Sequence, residues 1–393
     1  MTMFQKITKC SSLHASSRNI SLSNVRCAIT NFLNVDQGSF RKPFSQVPSI
    51  PALPFIGSSW IYAPLLAIMM VSLGKKLGLL GGSVKRDSEA ETIFYAVDRI
   101  FNGLDALVTH FPYYRYFPTP TSRSFNGAGD ALVPLLFRMT EEAVAETLRE
   151  SNQSSTILQR LLRHQKADLK EMFTFLHDVV ISGANTTGAA ATFALYHLAT
   201  NPEVQAKVRD EIMSLPSDQH PEGTQSSSDN ALPYMKACIK ETLRLHPIIP
   251  GVNLKVKRQV IMSGYCIPAN VVLRTEWYVA GRLEENFSRA SAFLPERWLQ
   301  RSSEEERDSG KAGVKAWTLH PFASLPFGIG PRTCIGKRIA EMELCTLLTQ
   351  VLKRYKVQSH HVDIGFRTQS TGRAERPVTL QFIDLESTVT SSA

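Results

Sequence analysis

Several things are missing from this 393-residue sequence, and each absence narrows its function. Before Asp36 there is no acidic residue at all, while Lys6, Lys9, Arg18 and Arg26 punctuate a serine-rich segment. That composition is what a mitochondrial transit peptide has, and it lacks the hydrophobic core that a secretory signal requires. The alternative for the segment is an ordinary disordered basic tail. No long apolar run occurs either. The longest, Trp60 to Leu73, is interrupted by Pro64 and falls short of the ~20 residues that cross a bilayer. The six cysteines (Cys10, Cys27, Cys238, Cys266, Cys334, Cys345) lie too scattered for a disulfide framework or a zinc ribbon, which points to a reducing compartment. No arginine-rich tract with interleaved aromatics is present, so nucleic acid is excluded as the expected partner. There is no internal repeat.

What is there describes a globular chain with a sizeable core: 43% hydrophobic residues and a net charge of +9, the latter suggesting an acidic partner or surface. Spaced prolines from Arg41 to Gly57 make a stiff extended segment. Helical periodicity runs over 88–103 and 129–162, separated by an aromatic- and proline-rich loop from Phe111 to Pro120. A long helix begins near Lys166, with Met172, Phe175, Leu176, Val179, Val180 and Ala184 at three- and four-residue spacing. Further helices are expected over 204–213, over 236–246 ending before Pro247, and over 337–348. Strands are expected over 255–267, turning at Gly264-Tyr265, and over 271–275. The serine-rich 214–230 and polar 299–314 read as loops.

The most informative stretch is Phe327-Gly328-Ile329-Gly330-Pro331-Arg332-Thr333-Cys334-Ile335-Gly336. A single cysteine sits at the end of a glycine-punctuated loop, immediately before a helix. A thiolate is a metal-ligating form, and a helix N-terminus favours its negative charge. Gly328, Gly330 and Gly336 permit tight turns and close approach of backbone to a flat cofactor. Arg332 is placed to neutralise a cofactor carboxylate. One cysteine beside a glycine is more often a buried structural residue. Here, however, the whole pattern resembles the haem-binding signature of the cytochrome P450 family, Phe-x-x-Gly-x-Arg-x-Cys-x-Gly, with no position missing.

The resemblance implies a mainly α fold, a helical bundle around haem b with a small β-sheet region, and Cys334 as the axial iron ligand. It gives roles to three other constellations. Glu241, Arg244 and Arg297 (the last in Pro295-Glu296-Arg297-Trp298) match the family's buried structural triad. Ile181-Ser182-Gly183-Ala184-Asn185-Thr186-Thr187 matches its oxygen groove, Ala/Gly-Gly-x-Asp/Glu-Thr-Thr/Ser, with Thr186 as the proton-relaying threonine beside Gly183, Asn185 and Thr187. Without the resemblance, Gly183 and Ala184 would read as a close helix–helix contact and the hydroxyls as bonding back to their own helix. Asn185 departs from the pattern: an amide does not titrate, so it cannot pass a proton as a carboxyl can. Lys236 and Lys240, with Lys337 and Arg338, resemble the face on which the mitochondrial branch docks an acidic, adrenodoxin-like ferredoxin fed by its NADPH reductase; a solvated charged face is the other reading.

The resemblance thus implies a monooxygenase acting on an apolar, steroid-like substrate of the ecdysteroid type, in the mitochondrion, peripheral to the matrix side of the inner membrane. A xenobiotic oxidase of the same branch is the nearest alternative. The family's Trp-x-x-x-Arg helix, which holds haem propionates, has no counterpart, since none of Trp60, Trp277, Trp298 and Trp317 has arginine four residues later. The second propionate arginine is replaced by Leu254-Lys255. The expected organisation is a targeting segment over 1–40, a proline-rich entry over 41–59, a catalytic domain over 60–386 whose N-terminal helices are partly missing, and a tail over 387–393. Missing helices also raise a non-catalytic alternative, a truncated product without a competent haem pocket.

Overall fold

A computed structural model of the chain describes residues 59–75, 77, 88–109, 111–149, 156–163, 169–215, 232–299, 320, 322–360, 363–368 and 371–385. The expected targeting segment, almost all of the proline-rich entry, the tail, and most of the two expected polar loops lie outside them. Nine α-helices are described: α1 Ser59–Leu73, α2 Glu89–Thr109, α3 Pro120–Arg149, α4 Ile157–Arg163, α5 Leu169–Thr200, α6 Pro202–Met213, α7 Pro233–Leu245, α8 Trp277–Ala280 and α9 Lys337–Arg354. Eight short strands form four antiparallel pairs: β1 Asn253–Lys255 with β4 Val272–Arg274, β2 Val260–Met262 with β3 Tyr265–Ile267, β5 Tyr355–Gln358 with β8 Gln381–Asp384, and β6 Arg367–Thr368 with β7 Gly372–Arg373. Helices dominate, as expected. The chain divides into two compact units, residues 1–188 and 189–393, with the boundary inside α5.

In the first unit, capping chemistry sets where helices begin. Ser88 Oγ accepts the backbone N–H of Glu91 at the start of α2. Thr119 and Ser122 cap α3 reciprocally, with Pro120 at the first helical position. Thr156 and Gln159 do the same for α4. Each arrangement satisfies N–H groups that no intrahelical carbonyl can reach. The Thr119-Pro120 cap explains why α3 starts nine residues before the periodicity does, with Pro134 carried inside it. The unit's core is aliphatic: Leu65 and Met69 of α1, Ile93 of α2, Leu132 and Leu136 of α3, Leu158 of α4 and Leu176 of α5 are all fully buried. The Phe137 ring stacks on Phe173 and meets His177 edge-on, and Thr140 Oγ1 lies 3.5 Å from His177 Nε2.

In the second unit, α9 packs against α6 and α7. Glu211 on α6 caps α7, its two carboxylate oxygens accepting the N–H groups of Tyr234 (2.7 Å) and Met235 (2.9 Å). An anion there is favoured by the helix dipole. Buried Gln205 ties α6 to β5: its amide donates to the carbonyls of Leu198 (2.9 Å) and Val357 (2.8 Å), and its oxygen accepts Val357 N–H (2.9 Å). Strands β2, β3 and β4 fall where strands are expected, but β1 starts earlier, at Asn253, and the turn falls at Ser263-Gly264, with Tyr265 already in β3. The two C-terminal pairs go beyond expectation, because their strands are two to four residues long and carry no clear alternation.

Three histidines are buried neutral. Burial pushes His177 down to about 4. It takes His197 down to about 3, aided by the charges of Arg282 and Arg244. His246, whose Nδ1 lies 2.9 Å from His197 Nε2, is held well below its ordinary value by burial, its partner and the same arginines. A histidine whose folded value lies below its unfolded value of about 6.5 stabilises the fold fully above that pH. The contribution drains away as pH falls toward the folded values, because unfolding then takes up protons. We expect the unfolding free energy from urea titration to fall between pH 7.5 and pH 5, by about 2 kcal/mol from His177 alone, with the buried pair adding to the fall. His177→Gln should make the dependence shallower. Equal stability at the two pH values would contradict neutral burial.

Candidate active site

The cysteine loop is closed by its own backbone. Cys334 N–H donates to the Phe327 carbonyl (2.9 Å), Gly328 N–H to Leu325 O (3.0 Å) and Thr333 N–H to Gly330 O (3.0 Å). Gly328 and Gly330 take φ of +72° and +74°, left-handed values that side chains rarely adopt, so the tight turn depends on glycine at both. Gly330 to Arg332 make one 3-10 turn, and α9 begins at Lys337, two residues after Ile335. The loop therefore delivers Cys334 to the start of a helix.

Cys334 is exposed, and so are the apolar neighbours that frame it in sequence: Ile329 is 58% and Ile335 75% accessible. Nothing lies within 4 Å of where a Cβ on Gly330 would stand. Among the described residues no group of three or more His, Cys, Asp or Glu could hold a metal ion. A metal that brings its other ligands with it would need only the one donor that Cys334 offers. One soft donor, an open apolar surround and a nearby exposed guanidinium on Arg332 fit a metal already held in a flat apolar macrocycle bearing carboxylates. The residues present fit haem.

Glu241, Arg244 and Arg297 are brought together in the second unit, with side chains entirely buried. Arg244 meets Glu241 bidentately, Nη2 to Oε1 at 2.7 Å and Nε to Oε2 at 2.9 Å. Arg297 Nε donates to Oε1 at 3.0 Å, Trp298 Nε1 to Oε2 at 2.8 Å, and Leu294 N–H to Oε1 at 2.9 Å. Arg244 also donates to the carbonyls of Gly281, Ala290 and Ala292. The ring of Phe287 lies 5.0 Å from the Arg244 guanidinium and 5.7 Å from that of Arg297.

The Ile181–Thr187 segment lies in α5, within the first unit. Thr186 Oγ1 donates to Ser182 O at 2.8 Å; Thr187 and Ala184 are buried, while Asn185 and Gly183 are half-buried. A Cβ on Gly183 would stand 2.9 Å from Ile68 Cγ1, so the missing side chain lets α1 approach α5 closely. The local geometry thus carries the close helix contact and the hydroxyl back-bond that the residues alone suggest.

Of the basic set, Lys240, Lys337 and Arg338 are exposed, and Lys337 Nζ stands 5.7 Å over the Phe327 ring. Lys236 is half-buried and close enough to buried Cys345 to oppose the rise in its thiol pKa, which burial nonetheless pushes up to about 11. Lys255, in the place expected for a propionate arginine, is exposed on β1. Sequence reasoning missed the histidine pair. His197 and His246, with Arg282 and Asp363, line a cavity of about 370 Å³ in the second unit. Lone histidines in apolar helices give no sequence signal that they meet.

The family profile described as "Cytochrome P450" matches residues 58–382. The probable mitochondrial cytochrome P450 12a5 of Drosophila melanogaster is 32% identical over 329 residues, which is 82% of this chain and 60% of the relative. The probable mitochondrial cytochrome P450 12c1 of the same species is 29% identical over 81% of this chain and 60% of the relative. The mitochondrial cytochrome P450 302a1 of that fly is 30% identical over 67% of this chain and 51% of the relative. The chain thus spans between half and three fifths of these relatives' length.

The triad yields a sharp expectation. Glu241→Gln keeps the shape but leaves two buried guanidinium groups without a countercharge, a loss of about 3–5 kcal/mol. Breaking the exposed Arg354–Asp384 pair, 3.5 Å apart, with Arg354→Gln should lower the unfolding free energy by less than about 1 kcal/mol. Equal effects from the two would contradict the central place of Glu241.

Proposed function

Because the chain belongs to the cytochrome P450 family, we propose that it is a haem-thiolate monooxygenase that hydroxylates an apolar, steroid-like substrate of the ecdysteroid type. The carrying observation is the Phe327–Gly336 loop, which sets an exposed Cys334 before the N-terminus of α9. Cys334 Sγ would hold the iron and Arg332 a propionate, with Phe327, Gly328, Gly330 and Gly336 forming the cradle. Haem b, when bound, supplies oxygen activation. The chain's own tasks are to fix the thiolate, to anchor the carboxylate and to deliver protons. Thr186 Oγ1 is the proposed proton carrier: with its hydrogen directed to Ser182 O, its lone pairs remain to accept. Asn185 holds a hydrogen bond without titrating, so delivery would pass through Thr186 rather than through a carboxyl at 185.

Electrons would come from an adrenodoxin-like ferredoxin and its NADPH reductase, with the protein peripheral to the matrix side of the inner membrane. The support is the mitochondrial designation of the relatives and the exposed charges of Lys240, Lys337 and Arg338, to which Lys236 adds a half-buried one. No helix among the described residues is long and apolar enough to cross a membrane. A second reading, a member that keeps the fold but is not catalytic, is favoured by Ile68, which covers α5 at Gly183 where the oxygen groove is expected.

Two experiments test this. Cys334→Ala should abolish the thiolate-type absorption of the reduced, carbon monoxide-treated protein, while Cys345→Ala, removing a buried thiol, should leave it; retention in Cys334→Ala would overturn the ligand. Lys240→Glu combined with Arg338→Glu should weaken ferredoxin binding at least tenfold at low salt and flatten its salt dependence. Affinity indifferent to both charges would make this set a solvated face.

A further inference from the structure

Arg282 carries a charge that no acid among the described residues matches. Its half-buried guanidinium donates through Nη1 to the Leu245 carbonyl at the end of α7, and its central carbon stands 3.9 Å over the Tyr278 ring. Among those residues no carboxylate pairs with it, and Nε and Nη2 donate to nothing. Its neighbour Arg244, by contrast, is fully matched by Glu241. A partly buried charge without a partner is costly, so the open edge of Arg282 asks for an anion.

That edge belongs to the cavity of about 370 Å³ in the second unit. His197, His246 and Phe293 are its buried floor, while Ser291 and Asp363 are exposed at its rim. The field at the floor is positive. Burial first, and then the charges of Arg282 and Arg244, hold both histidines well below their ordinary values. The one acid in the lining, Asp363, sits in water at the rim, where its Oδ1 accepts the Gly365 N–H at 2.9 Å.

The wall opposite in sequence supplies an acceptor. Asn201 Nδ2 donates to the His197 carbonyl (2.8 Å) and to Thr200 Oγ1 (3.2 Å), which leaves Asn201 Oδ1 to receive a donor. A cation or an apolar molecule would leave Arg282 unmatched. A phosphate would bring a second negative charge toward Asp363. A planar carboxylate matches the Nε and Nη2 edge bidentately, and a hydroxyl beside it can serve Asn201. The volume is at the lower end for small-molecule sites, so the ligand is small.

We propose that this cavity binds a small hydroxycarboxylate, its carboxylate on Arg282 Nε and Nη2 and its hydroxyl on Asn201 Oδ1. All of the lining residues fall in the second unit, and the site is independent of whether Cys334 carries haem.

The test is a ligand-observed NMR titration of the full chain with lactate, beside propane-1,2-diol, which keeps the hydroxyl and lacks the charge. Lactate should saturate with a dissociation constant on the order of 1 mM, as so small a ligand allows, and the diol should bind roughly tenfold more weakly. Arg282→Gln should weaken lactate by roughly tenfold. Because Arg282 also holds the Leu245 carbonyl, two variants that spare it keep the test decisive if that one does not fold. Ser291→Trp, at the exposed rim, should obstruct the cavity and weaken lactate by a similar factor. Asp363→Asn keeps an oxygen for the Gly365 N–H and removes the rim's negative charge, so it should tighten lactate about threefold at low salt. Lactate that does not saturate, a diol that binds as well as lactate, parental affinity in Ser291→Trp, or inorganic phosphate binding more tightly than lactate would each overturn the proposal.

Discussion

One buried carboxylate organises the second unit. Glu241 accepts five hydrogen bonds, from Arg244 Nε and Nη2, Arg297 Nε, Trp298 Nε1 and the Leu294 N–H. Burying three ionised groups is costly, and such a cluster is tolerable only when nearly every donor and acceptor is matched. Here the matching extends into the backbone. The chain from Gly281 to Trp298 has no sheet ladder and only isolated turns, so several of its carbonyls take donors from side chains. Arg244 serves Gly281, Ala290 and Ala292, while Arg297 reaches Ser288 at 3.2 Å.

From that hub the constraint reaches the candidate site. Trp298, hydrogen-bonded to Glu241, packs against a core cluster of Phe287, Ala290 and Ala323. Ala323 lies four residues before Phe327, where the cysteine loop opens. The loop's base is thus tied to the same buried charges that order residues 281–298, while its tip is shaped by two left-handed glycines. Fixing the base while leaving the sulfur exposed is what a single-ligand site for a prefabricated cofactor requires.

Legibility in the sequence follows how local the physics is. The ten-residue cysteine loop is contiguous, and its geometry is written in glycines and one proline. The helices are legible where apolar periodicity is long, as in α5, and their starts are misplaced where a cap decides them, as at Thr119-Pro120. Glu241 and Arg244 are a turn apart on one helix, but Arg297 joins them across 56 residues, and only the family pattern connects these. The buried pair His197 and His246 is 49 residues apart with no pattern at all. Gly183 shows the opposite case: it stands out in the sequence, and the structure gives it a packing partner, Ile68.

The proposed activity depends on a single bond, from the Cys334 sulfur to a haem iron. Iron-edge X-ray absorption of the haem-loaded chain reads that bond directly. The prediction is one sulfur scatterer in the first shell of the parent protein, absent from Cys334→Ala. A first shell of nitrogen and oxygen alone in the parent would contradict it.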